Sequence, residues 1–292
     1  MIKLIASDMD GTLLNQNSVV SDTNIAAIER ANQQGIQFIV ATGRKLSEAQ
    51  PLLQALKQPP AFITLNGALV YSKHLQPVLR IPLTNANFAT CIQVLQKYDL
   101  YFEVLTPEHI YSTSHYQRIH QVAAFIQQLN PSLLYKKALE VATSRTELMQ
   151  VTYISNPQEL LNNPQVSIMK VIAYLGDNKT KFLAARHELQ QATGLNVTSS
   201  SANNMEINNQ QAQKGPALAQ FAQQQKIPLT QVMAIGDNLN DMSMIKTAGL
   251  GVAMGNAVPQ IKQLAQYQTA DNNQNGVAQA IDYALSLNAS SE

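Results

Sequence analysis

The sequence predicts an α/β protein: an open parallel sheet with helices on both faces, interrupted by an inserted α+β segment. Three observations carry this reading. Short apolar runs alternate with helical patterns over residues 1–82. The same alternation resumes over residues 209–287. Between them the order changes to helix–strand–strand, and that order occurs twice. Apolar strands that alternate with helices imply parallel pairing with both faces covered.

The elements follow in order. "IKLIAS" at 2–7 is a strand, "SDTNIAAIERANQQG" at 21–35 a helix, and "IQFIVAT" at 36–42 a strand. "KLSEAQPLLQAL" at 45–56 is a helix and "AFITLNG" at 61–67 a strand. Ser21 is placed as a helix N-cap and Gly35 as a helix stop. In the middle, a helix at 84–98 precedes "LYFEVL" and "HIYSTS", joined by "TPE". A helix at 178–193 precedes "LNVTSS" and "NMEIN", joined by "SAN". These two sets flank residues 114–177 and suggest an approximate internal repeat. "KGPALAQFAQQQKI" at 214–227 is a helix, "QVMAIGD" at 231–237 a strand, "LNDMSMIKTAG" at 239–249 a helix, and "LGVAMG" at 250–255 a strand. A helix at 257–265, a short strand near "YQTA" and the helix "NGVAQAIDYALSL" complete the pattern. The expected division is 1–82 with 209–292, and 83–208 inserted, with hinges at 81–85 and 208–213.

Bulk properties exclude several classes. The chain has 292 residues, a length at which a core divides in two (about 250–300 residues). A formal net charge of +1 gives no electrostatic case for nucleic acid or an anionic membrane. Charged residues are only 13%, so Gln and Asn supply much of the polar surface. The single cysteine, Cys91, allows no internal disulfide and borders an apolar helix face, which reads as core packing. There is no signal-peptide layout and no apolar run long enough to span a bilayer, so a cytoplasmic setting is expected. The sequons at Asn178, Asn196 and Asn288 then carry no meaning.

The chemistry begins at "DMDG", residues 8–11. A strand alternates its side chains, so Asp8 and Asp10 are expected on one side. Two like charges held together repel, and stability gives no reason for them. A hard cation such as magnesium between them does. The calcium-loop template fails, because its first and last ligand positions fall on Ala6 and Asn17. A plain turn after a strand stays open on these residues alone.

The other strand ends add to the pattern, since ligands in open α/β sheets sit beyond the carboxyl ends of strands. "ATGR" ends the second strand with Thr42, Gly43 and Arg44; "LNGA" ends the third with Asn66 and Gly67. "GDNLND" ends the strand at 231–235 with Asp237, Asn240 and Asp241. Lys214 opens the helix before it. "GLGVAMG" at 249–255 has the wrong final spacing for a dinucleotide fingerprint, and the five histidines, His109 included, lack metal-ligand spacing.

In this order, "DMDGTL", "ATGR", "QKG" and "GDNLND" resemble the four motifs of the haloacid dehalogenase-like phosphohydrolases. "NGA" and "MEI" are similar to the Cof-type branch. The segment "NNQQAQ" before Lys214 lacks the proline and glycine often found there, which concerns linker geometry. The resemblance implies a Rossmann-like parallel sheet core with a large α+β cap at 83–208 that selects substrates. It implies a magnesium-dependent phosphatase of small phosphate monoesters, such as sugar phosphates or phosphorylated cofactors, working through an aspartyl phosphate.

Carried over residue by residue, Asp8 resembles the nucleophile, and Asp10 the general acid and base. The magnesium ligands would be the Asp8 side chain, the Asp10 backbone carbonyl and Asp237, with Asp241 acting through water or orienting a ligand. Thr42, Gly43, Arg44, Asn66 and Lys214 would hold phosphate. Asn240 would bind phosphate or cap the next helix. The expected partner is a small phosphorylated metabolite, with neither nucleic acid nor membrane. A phosphomutase on a similar core and cap is the alternative, distinguished by its need for a bisphosphate activator. A phospho-acceptor signalling domain is a second, but it needs neither the second acid nor a cap. No motif within 83–208 singles out a substrate-selecting residue.

Overall fold

A computed structural model describes residues 1–130, 132–148 and 151–289. The chain divides into two compact units, one formed by Met1–Ile81 with Gln211–Glu292 and the other by Pro82–Gln210.

The first unit starts with strand β1 (Leu4–Asp8), helix α1 (Asp22–Gln33), β2 (Gln37–Ala41), α2 (Leu46–Ala49), β3 (Ala61–Thr64), β4 (Leu69–Tyr71) and β5 (Pro77–Arg80). The inserted unit holds α3 (Asn85–Lys97), β6 (Phe102–Leu105), β7 (Ile110–Ser112), α4 (His115–Leu129), α5 (Tyr135–Leu148), β8 (Val151–Tyr153), β9 (Lys170–Tyr174), α6 (Lys179–Gln191), β10 (Leu195–Thr198) and β11 (Asn204–Asn209). The first unit then resumes with α7 (Lys214–Gln224), β12 (Val232–Gly236), α8 (Met242–Thr247), β13 (Leu250–Ala253), α9 (Pro259–Leu264), β14 (Tyr267–Gln268) and α10 (Gly276–Ala289).

Eight strands of the first unit form one sheet in the order β14-β13-β12-β1-β2-β3-β4-β5. The six from β14 to β3 pair in parallel. Strand alternation sorts their apolar residues onto two faces. Leu4, Ala6, Ile39, Ile63 and Ala234 pack with Leu218 and Phe221 of α7 and with Met244 of α8. Ile5, Val40, Phe62, Met233 and Ile235 pack with Ile28 of α1 and with Val277 and Ile281 of α10. Helices therefore cover both faces, as the apolar runs predict. β1 lies between β2 and β12. It continues through α1 to β2, and α7 on the opposite face leads into β12. The carboxyl end of β1 is thus a topological switch point, where such sheets open a crevice.

Three local features differ from the sequence reading. The sheet is not wholly parallel, because β4 and β5 extend it as an antiparallel hairpin. These strands have three and four residues, and β5 is a largely exposed edge that starts at Pro77, so no alternation marks it. The helix expected over 45–56 is α-helical only to Ala49 and continues as a 3-10 turn over Gln50–Leu53. Pro51 has no N–H to give and crowds the carbonyl four residues back. The helix expected over 239–249 splits into a 3-10 turn at Leu239–Asp241 and α8. Ser21 caps α1 as its position predicts, accepting from the Asn24 N–H at 3.2 Å.

The inserted unit has a six-stranded sheet, β10-β11-β9-β6-β7-β8. The two helix–strand–strand sets are α3-β6-β7 and α6-β10-β11. They attach to β9 differently, one through its first strand and the other through its second. The repeat is one of element order and not of sheet position. One face of this sheet packs Val104, Val171, Ala173 and Ile207 against Phe88 and Ile92 of α3 and Phe182 of α6. Cys91 is buried in the same cluster, and burial pushes its thiol up to about 12, so it is core and not nucleophile. Among the described residues, the buried acids of the unit are paired: Glu103 with Arg118 at 2.6 Å and Glu206 with Lys170 at 2.6 Å.

Candidate active site

β1 carries Asp8 to the carboxyl end of the central strand, where it is buried. Lys214, the first residue of α7, is fully buried and donates from Nζ to Asp8 Oδ1 at 2.6 Å and to Asp241 Oδ1 at 2.6 Å. A buried ammonium needs such partners. Burial pulls its pKa down, but the Asp241 and Asp8 carboxylates outweigh this and hold it above the ordinary lysine range.

Asp237 follows β12 directly, and Asp241 lies one turn later. Asp241 Oδ2 accepts from the N–H groups of Asp237 at 2.9 Å and Asn238 at 3.0 Å. Both oxygens of Asp241 are thus engaged, and the residue locks the loop and Lys214 together. Thr12 donates from Oγ1 to Asp237 Oδ1 at 2.9 Å and so ties the first loop to the fourth. Between Asp10 and Thr12, Gly11 has φ +80°, and a Cβ there would stand 2.6 Å from Asp237 Oδ2. Only glycine fits this position.

Carboxylate oxygens of Asp8, Asp237 and Asp241 lie within 4.8 Å of one another. Burial, then the Asp241 charge, pushes the Asp8 carboxyl well above its usual range, with Lys214 acting against them. Burial and Asp241 push Asp237 up to about 7. Two of the three carboxylates share one ammonium, and Asp237 stands beside them with the Thr12 hydroxyl on it. A hard cation with oxygen ligands suits this donor set, and the residues fit magnesium.

The other strand ends close the rim. The Thr42 N–H donates to Ile63 C=O at 2.8 Å, its C=O accepts from the Asn66 N–H at 3.1 Å, and its Oγ1 accepts from the Arg44 N–H at 3.1 Å. Gly43 lies between them, half-buried. Asn66 is buried and left-handed, with φ 59°, and its Oδ1 accepts from Asn240 Nδ2 at 3.4 Å. Gly67 has φ +100°, and a Cβ there would meet Gln213 O at 2.4 Å. The loop after β3 therefore rests on the residue that precedes Lys214.

The profile of the haloacid dehalogenase-like hydrolases matches residues 5–281. The chain belongs to this family. Among curated haloacid dehalogenase-like relatives, phosphatase YwpJ of Bacillus subtilis (strain 168) is 32% identical over 97% of this chain and all of that protein. The 5-amino-6-(5-phospho-D-ribitylamino)uracil phosphatase YwtE of the same organism is 31% identical over 98% of this chain and 99% of its own length. A haloacid dehalogenase-like hydrolase of B. subtilis with a solved structure superposes with a TM-score of 0.86 at 30% identity, covering 96% of this chain and 99% of that one. Among the described residues of this hydrolase, no helix is long and apolar enough to cross a membrane.

Two sequence expectations about the hydrolase need correction. Asp10 does not share a side with Asp8. β1 ends at Asp8, and the chain turns, so Asp10 points to the surface and pairs with Arg44. Its carboxylate accepts from Arg44 Nε at 2.7 Å and from the terminal nitrogen at 2.5 Å, a two-point ion pair. Nor is Asn240 the cap before α8. Asn238 caps this segment, accepting from the Leu239 N–H at 2.8 Å, while Asp241 reaches back to the Asn238 N–H. Residue spacing missed Thr12 and Asn256, whose Nδ2 donates to Gly11 C=O at 2.7 Å. Thr12 lies inside "DGT" and was legible as a neighbour of two acids. Nothing local marks Asn256.

Proposed function

We propose that this hydrolase is a magnesium-dependent phosphatase of small phosphate monoesters, sugar phosphates or phosphorylated cofactors, acting through an aspartyl phosphate on Asp8. The observation that supports it most is Lys214, held between Asp8 and Asp241 beside Asp237 at the switch point of the sheet. The YwtE name adds support for a phosphorylated metabolite as substrate.

Asp8 and Asp237 side chains and the Asp10 carbonyl would hold the metal. Asp241, already bonded by three donors, orients the site. When bound, magnesium supplies a positive charge that offsets the phosphate's own. The carboxylate of Asp8 attacks phosphorus, and the bond to the leaving oxygen breaks. Asp10, once released by Arg44 and protonated from solvent, gives that proton to the leaving oxygen, then takes one from the water that splits the acyl phosphate. Phosphate leaves and Asp8 is restored. Lys214 offsets charge throughout. Arg44 occupies Asp10 in the resting site. A phosphate oxygen is a second acceptor for that guanidinium, and Arg44 turning to it frees Asp10 for proton transfer. Thr42, Gly43, Asn66 and Asn240 form the remaining phosphate rim. Residues 83–208 act as the cap that selects substrates.

A panel of phosphorylated metabolites, ranked by kcat/KM with magnesium and with EDTA, tests the reading. Phosphate release that needs magnesium and no bisphosphate activator supports it. Release that needs a bisphosphate favours a mutase. Equal release in EDTA rejects the metal site.

A further inference from the structure

The segment Met254–Val258, between β13 and α9, touches both acid-bearing loops, and we infer that Asn256 is a positioning residue that sets divalent-cation affinity. It does so by holding the backbone of Asp10–Thr12 against Asp237. The inference rests on the magnesium reading above.

The contacts come from one short loop. Its Met254 N–H donates to Gly236 C=O at 3.1 Å, and its Val258 N–H donates to Asp237 C=O at 2.9 Å. Between these, Asn256 Nδ2 donates to Gly11 C=O at 2.7 Å. The loop therefore grips the strand end that bears Asp237 and reaches the first acid loop with one side chain. The orientation of that amide is settled by its other end: Asn256 Oδ1 accepts from the Asn272 N–H at 3.1 Å, which directs the NH₂ to Gly11. The loop is anchored in turn, with the Gly255 N–H donating to Ala270 C=O at 3.0 Å. Asn272 also donates to Leu14 C=O at 2.8 Å, further along the first loop.

Gly11 is where such a grip matters. Its peptide neighbours are the Asp10 carbonyl on one side and Thr12, which holds Asp237, on the other. The Leu14 N–H on Met9 C=O at 2.9 Å closes the turn locally, but glycine has the freest backbone of any residue, and that bond does not engage the Gly11 peptide itself. Rotation at Gly11 moves both. A hydrogen bond on the Gly11 carbonyl removes that freedom from outside. Aspartate at position 256 has the same shape but no donor, so the requirement is for the amide.

Asn256 is exposed, so truncating it opens no cavity. The test is calorimetric titration of magnesium into metal-free full-length protein, for the wild type and three variants. Asn256→Ala should bind magnesium about 10-fold more weakly, the scale for losing an outer partner of a metal site. Its far-UV circular dichroism and its urea midpoint in EDTA should match the wild type. Asn256→Gln, which keeps the donor, should recover most of the affinity. Asn273→Ala removes a bond to the Gln16 N–H on the same loop (3.0 Å), away from the acids, and should bind as the wild type does. Should the alanine variant not fold, Asn256→Ser, too short to reach Gly11, takes its place and is read the same way. Wild-type affinity in the folded truncation overturns the inference. Equal loss in Asn273→Ala also overturns it, because general loosening of the loop is then the cause. No measurable magnesium binding to the wild type overturns this inference and the magnesium reading together.

Discussion

Asp8 and Asp10 are two residues apart, yet they meet different partners. Asp8 faces Lys214 in a dry place, and Asp10 faces Arg44 at the surface. The tasks proposed for them differ too, and an ester with an activated leaving group separates these. p-Nitrophenolate needs little protonation, so Asp10→Asn should slow the first step only modestly. The water of the second step still needs a base. Phosphoenzyme should accumulate on Asp8, seen as a burst of p-nitrophenolate before a slow steady state. With an alkyl phosphate no burst should appear. Absence of the burst, with magnesium binding intact, rules Asp10 out as the base. The acids also link metal to pH. In metal-free protein, Asp237 is raised from the ordinary 3.8 to about 7, and Asp8 is raised too. The native state then keeps protons that the unfolded chain has lost. The stability contributed this way is full below the unfolded value and lost as pH rises through about 7 for Asp237. Magnesium needs the ionised carboxylates, so its stabilisation grows over the same interval. The Tm gained from magnesium over EDTA should be larger at pH 8 than at pH 5, and a flat gain would contradict the site.

At the scale of elements, the loop after β3 shows how a turn positions a helix. Leu65, Asn66 and Gly67 all have positive φ, and Gly67 rests on the Gln213 backbone. α7 starts one residue later, with Lys214. A methyl at position 67 would have to displace the start of α7 and would be strained in any case. Gly67→Ala should cost about 1–3 kcal/mol, the range for enforced backbone strain. Turnover should fall as well, because Lys214 moves with Gln213. Urea unfolding and the rate with p-nitrophenyl phosphate check both effects. Wild-type stability would mean that the loop yields without loss.

At the scale of the whole molecule, every strand of the eight-stranded sheet lies outside Pro82–Gln210. The ends of the excision are also adjacent. The Ile81 N–H donates to Ala68 C=O at 2.8 Å, and neighbouring Gly67 abuts Gln213. A short Gly/Ser linker from Ile81 to Gln211 should therefore leave a folded core. It should hydrolyse an aryl phosphate slowly and lose discrimination among metabolites. A soluble core whose substrate ranking matches the full chain would count against selection by the inserted segment.

The sequence by itself determined the layered α/β plan and the strand ends that meet at Asp8, Thr42, Asn66 and Asp237. Local periodicity reports which segments are strands, and parallel strands in one open sheet must bring their carboxyl ends to a single rim. It also placed Lys214 at a helix start. The tertiary structure alone decided the pairing of Asp10 with Arg44, the cap at Asn238, the β4–β5 edge hairpin and the reach of Asn256 to Gly11. The last joins residues 245 positions apart. Spacing along the chain encodes neighbours on one strand or one helix turn. A hydrogen bond between distant loops depends on how those loops are packed, and no local pattern records it.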